Sequence, residues 1–136
     1  ESARLKDAIM KKCFLILTLL FAAQSAQANW TAIDTLTKPG VMHYFDAESL
    51  QKIEPFRKIW ILSSYEEKQK GGYHAIKTLY EFDCVLHKAR PITVLLYPDK
   101  AASEAVIGAR HNESTDWSRF SEESIFHQVS TVVCTP

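Results

Sequence analysis

An apolar run from Cys13 to Ala23, entered by Met10-Lys11-Lys12 and left by Ala26-Gln27-Ala28, decides how much of this chain has to fold. A basic start, an apolar stretch of 11 residues and a small-x-small tripeptide before Asn29-Trp30 form the pattern of a secretory signal peptide. The run is too short to span a bilayer. We therefore read residues 1–9 as an upstream extension or cloning remnant, residues 10–28 as the signal peptide, and residues 29–136 as one exported domain. Only Cys84 and Cys134 then remain, in an oxidising compartment, and the expected outcome is a disulfide between them. Cys13 directly follows the lysines, so no cysteine stands where a lipid anchor would need one.

The domain has 108 residues, enough for one small core and too few for two. It carries 12 basic against 14 acidic residues, which argues against non-specific nucleic-acid binding. After cleavage no segment remains that would cross a membrane as a helix.

Local patterns predict mostly strands. Trp30–Leu36 and Val41–Phe45, separated by Thr37-Lys38-Pro39-Gly40, read as a hairpin, and Asp46 as the cap of one helical turn before Pro55. Arg57–Tyr65 alternates Ile59 and Ile61 against Trp60 and Leu62, a pattern expected of a central strand covered on both sides. Gly71-Gly72 turns the chain into Tyr73–Leu86, where Ile76, Thr78, Tyr80, Phe82, Cys84 and Leu86 share one face and Lys77, Leu79, Glu81 and Asp83 the other. Pro91 is expected to open a strand over Ile92–Tyr97, and Ala105–Ala109 to add an edge. From Ser121 the period becomes helical, with Ser121 as cap, Glu122 and Glu123 in the first turn, and Ile125, Phe126, Val129, Val132 and Val133 on one face. Laid across the sheet, that helix brings Cys134 to Cys84. The class is α+β: an antiparallel sheet of about six strands with a C-terminal helix packed on one face and tied by a disulfide.

No catalytic pattern emerges. The histidines His43, His74, His87, His111 and His127 form no i,i+4 pair, and there is no Cys-x-x-Cys, phosphate loop or serine elbow. No cofactor or metal is expected. A catalytic proposal would need His74, His87 or His111 beside a carboxylate in a cleft. Charge is uneven instead: eight of the domain's basic residues fall between Arg57 and Lys100, while five acids face only Arg110 and Arg119 beyond them. Such a rim would attract acidic protein or glycan partners.

With an export signal, Trp30 just after cleavage, the strand Tyr80-Glu81-Phe82-Asp83-Cys84, a late Trp117 before a helix, and terminal Cys134, the chain resembles the surface-adhesin protein E family of Gram-negative bacteria. The resemblance implies an antiparallel sheet stapled to its helix by Cys84 and Cys134. It also implies non-enzymatic binding of host extracellular-matrix or serum proteins through the Lys68–Arg90 region. Two readings follow. In the first, an adhesin-type protein engages a host or envelope protein, with Lys68, Lys70, Lys77, Lys88 and Arg90 on one exposed face. In the second, a soluble periplasmic accessory or small-ligand module uses a cavity between helix and sheet, lined by Trp60, Tyr80, Phe82 and Phe126. The expected location is the periplasm or the cell surface, and a strand edge offers a route to a homodimer.

Overall fold

Phe56–Tyr65 is the strand around which the sheet is assembled. The computed structural model describes Lys6, residues 28–33 and residues 39–136. The expected export signal lies, up to residue 27, outside the described residues, as do residues 34–38, which hold the end of the expected first strand and the start of the expected turn. In chain order the elements are β1 (Trp30–Ala32), β2 (Val41–Asp46), a 3-10 turn (Ala47–Ser49), β3 (Gln51–Ile53), β4 (Phe56–Tyr65), β5 (Ala75–Asp83), β6 (Lys88–Tyr97), β7 (Gly108–His111), β8 (Ser118–Arg119) and helix α1 (Ile125–Val133). All pairs are antiparallel, in the order β1-β2-β4-β5-β6-β7, with β3 also on β4 and β8 also on β6. The protein is α+β, as its alternation and its late helical period predict.

Apolar alternation places Ile59 and Ile61 of β4 beside Phe82 of β5 and Ala89 of β6 on one face, and α1 lays Val129 and Val133 onto them. Phe82, Ile59, Ile61, Val129 and Val133 are fully buried, each contributing about 1.5–3 kcal/mol by leaving water. Cys84, one residue past β5, bonds Cys134, the residue that caps α1, with the Cα atoms 5.5 Å apart. The expected staple is therefore present.

Several local expectations needed correction. The cap of α1 is Ser124, whose hydroxyl accepts from the His127 N–H, and not Ser121; Glu122 and Glu123 precede the helix instead of filling its first turn. The β-branched run through Val133 is helical because Val129 and Val133 have a core to fill, which outweighs their modest propensity cost. Val132 points away and is exposed. On β5 the alternation stops at Asp83, which accepts from the Val85 and Leu86 N–H groups and so closes a turn that leaves Leu86 in solvent. Pro91 does not open β6 but sits inside it. The register passes from Leu79↔Thr93 to Tyr80↔Pro91, leaving Ile92 as the extra residue of a bulge. A proline has no N–H to offer a ladder, and a bulge is where a sheet can spare one.

β4 is central, but only its Ile59 face is covered by a layer. On the other face the loop after β6 folds back at one end, where Ser64 Oγ donates to the Lys100 carbonyl and Ala102 packs on Leu62. Trp60 remains half-buried. Arg57 also departs from its place in the basic rim: it is buried under α1, its Nε donating to the Val133 carbonyl (2.9 Å), Nη1 to the Phe56 carbonyl (3.0 Å) and Nη2 to Glu54 Oε1 (2.7 Å).

Candidate binding surface

Residues opposite one another in an antiparallel ladder share a face, so the register itself assembles the surface left open by α1. Trp30 pairs with Asp46, Tyr44 with Leu62, Leu62 with Lys77, and Lys77 with Leu95. This row brings Trp30 and Lys77, 47 positions apart, within contact across four strands. Lys77 Nζ lies 5.6 Å from the Trp30 ring centroid and 4.9 Å from that of Tyr97, both within cation–π range. Trp30, Asp46, Trp60, Lys77, Leu95 and Tyr97 line a pocket of about 240 Å³. Asp46 is nearly buried and held by the Glu48 N–H at 3.1 Å. Burial, then the nearby Asp99 carboxylate, raises the Tyr97 phenol above its ordinary value, so it is a neutral hydroxyl at physiological pH.

The other end of the same face is tied down. Arg90 donates from Nε and Nη2 to Glu81 Oε1 at 2.9 and 2.7 Å, and its guanidinium lies 4.4 Å from the Trp117 ring centroid. Trp117 in turn stacks on Phe56, centroids 5.7 Å apart. Of the residues expected to meet a partner, Lys77, Lys88 and Arg90 share this face by register. Lys68 and Lys70 sit on the exposed β4–β5 turn, at the opposite end of β5 from Lys88 and Arg90. The turn is made by Gly71 and Gly72 at φ of 107° and 85°, a region other residues avoid. Sequence reasoning marked Asp46 as a cap, which it is, and Trp30 as a family feature, but placed neither of them, nor Tyr97, at a binding surface. Parity could have pointed to part of the group, because Trp60 and Lys77 both lie on the faces opposite Ile59 and Phe82.

The helix side has its own cavity, about 410 Å³, where α1 ends before covering β6; Tyr80, Ala89, Pro91, Phe120 and Phe126 form its walls and Arg119 its charged rim. Two of the four aromatics expected there are present. Phe82 is packed solid beneath the helix and Trp60 belongs to the opposite face. Burial raises the Tyr80 phenol, with smaller influence from Tyr65. The histidines are dispersed: His43 Nδ1 bonds Ser63 Oγ at 2.7 Å and His111 Nδ1 bonds Thr93 Oγ1 at 2.7 Å. Burial lowers the His43 pKa. Among the described residues no group of His, Cys, Asp and Glu could hold a metal ion.

These features define a small disulfide-tied α+β domain with one fastened face and one open, aromatic and charged face. The family model of surface-adhesin protein E matches residues 30–135, and the chain belongs to that family. No curated protein and no solved structure matches it. Membership points to a binding protein that is exported or displayed at the surface. No helix among the described residues is long and apolar enough to cross a membrane.

Proposed function

We propose that the protein is exported through the signal at residues 10–28 and binds a host extracellular-matrix or serum protein, without catalysis, through the helix-free face of its sheet. Family membership supports the class of partner. The observation that carries the choice of face is that half-buried Trp30, Trp60 and Lys77 stand together on it with buried Tyr97, and among the described residues no helix lies above them. Aromatic and cationic side chains of this kind dominate interface energies. Lys77 is the central contact, Lys88 lies towards one end of the face and Lys68 and Lys70 flank the other, while Arg90, engaged with Glu81, holds Trp117 in place. Among the described residues, a second copy adding by a strand edge would have to use β1, β3, β7 or β8, each two to four residues long.

The test is surface-plasmon-resonance capture of matrix and serum proteins, combined with protease shaving of intact cells that produce the protein. We expect the shaved cells to lose the protein, and Trp60→Ala with Lys77→Glu to weaken capture at least about tenfold while a cooperative melting transition shows that the variant still folds. Undiminished capture by that variant would remove the face from the proposal.

The 410 Å³ helix-side cavity favours a second reading, a periplasmic carrier of an apolar ligand with an anionic head set against Arg119. It requires protection from shaving and saturable uptake of a fluorescent fatty acid that Phe126→Trp blocks; a protein lost on shaving, or one that takes up no fatty acid, ends it.

A further inference from the structure

Aromatic clusters that surround an ammonium group are usually places where a cationic ligand docks. Here the chain fills that role itself, because Lys77 Nζ already lies over Trp30 and Tyr97. Among the described residues the ammonium forms no ion pair with a carboxylate. A half-buried cation resting on ring faces and lacking a counter-ion favours an incoming anion. Asp46 on the same pocket wall sets the opposite requirement: its Oδ1 already accepts from the Glu48 N–H, its negative charge repels a compact polyanion such as phosphate, and its remaining acceptor capacity suits hydroxyl donors. A fatty chain would offer none. The matching ligand therefore carries one negative charge, several hydroxyl donors and an apolar flank to lie on an indole. The pocket, about 240 Å³ with Ala28 in its lining and more open once residues 10–28 are removed, has room for a single six-membered sugar ring.

We propose that this pocket takes a carboxylate-bearing pyranose of a glycan chain, with the carboxylate on Lys77, hydroxyls donated to Asp46, and the ring's C–H face against Trp30 or Trp60. Electron-rich ring faces attract such polarised C–H groups by the same quadrupole that attracts cations. The inference rests on the open face being the partner-binding face, and it identifies what on the partner is read there. Two sources share the chemistry: a uronic acid of a glycosaminoglycan and a sialic acid of a glycoprotein.

The test titrates the disulfide-bonded protein with sialyllactose, a hyaluronan tetrasaccharide and lactose, following tryptophan fluorescence and chemical shifts. One acidic sugar is expected to give a saturable response that lactose does not, and which one it is identifies the source. Lys77→Met keeps the aliphatic stem and removes the charge; we expect it to weaken binding about tenfold, and Asp46→Asn to weaken it to a lesser degree. Melting curves of both variants report whether the fold is kept, and Trp60→Ala provides an independent variant that leaves the Asp46 cap intact. No saturable response to either acidic sugar, or an equal response to lactose, overturns the proposal. A partner captured equally well before and after enzymatic removal of its glycans overturns it too, while leaving the face itself as a protein-binding surface.

Discussion

Replacing Cys84 and Cys134 together by serine is expected to lower the unfolding free energy by about 4 kcal/mol, the chain-entropy value for a closed loop of this size. The two residues are 50 apart in sequence. A domain of this length has only about 5–15 kcal/mol in total, so the variant should unfold far earlier in urea. Its loss has a specific location. Helix α1 has nine residues, fewer than an isolated helix needs to persist in water, and it is held by Val129, Val133 and the bond at its last turn. Amide exchange should therefore rise first in α1 and later in β4 and β5. Equal urea midpoints for the oxidised protein and the double serine variant would show that the bond adds nothing to the folded state.

Arg57→Ala should cost about 3 kcal/mol, although arginine is ordinarily a surface residue. The guanidinium is 3% exposed and satisfies the carbonyls of Val133 and Phe56. Removing it leaves one of the helix's final carbonyls without a donor, takes a positive charge from the negative end of the helix dipole, and opens a void beneath the helix. The Glu54 contact contributes little, because that carboxylate is 77% exposed. Arg57→Lys should recover less than half of the loss, since an ammonium cannot reproduce three bonds in a planar fork. Urea titration of both variants reads the effect, and a cost under about 1 kcal/mol for the alanine would contradict the assigned role. Val133 and Cys134 are neighbours, so Arg57 and the disulfide hold the same helix end. Losing both should cost less than the sum of the separate losses.

The strands β4 and β5, the late helix and the disulfide were legible because each is written in local chemistry: alternation of two, a period near 3.6, and two thiols in an oxidising compartment. Where the reading failed, a contact distant in sequence had decided the outcome. Arg57 looked like surface charge until the helix placed a carbonyl over it. Pro91 looked like a strand boundary until the bulge at Ile92 let β6 pass through it. Ser121 looked like the helix cap until a turn at Glu122-Glu123 moved the start of the helix to Ser124. The open face was half legible. Alternation assigns Trp60 and Lys77 to a side of their strands but not to neighbours, and only the register across five strands brings Trp30 and Tyr97 to Lys77.

Because the helix, the disulfide and Arg57 all fasten the sheet from one side, the partly exposed positions of the other side, outside its small cluster of Leu62, Ala75, Tyr97 and Ala102, are released from most of the work of folding. Side chains at Trp60, Lys77 and Thr93 can be exchanged at a small fraction of the stability lost on altering Ile59 or Phe82. A lineage built on this frame can change its target in few mutational steps without passing through unfolded intermediates, and the same freedom makes the face a ready scaffold for selecting new binders.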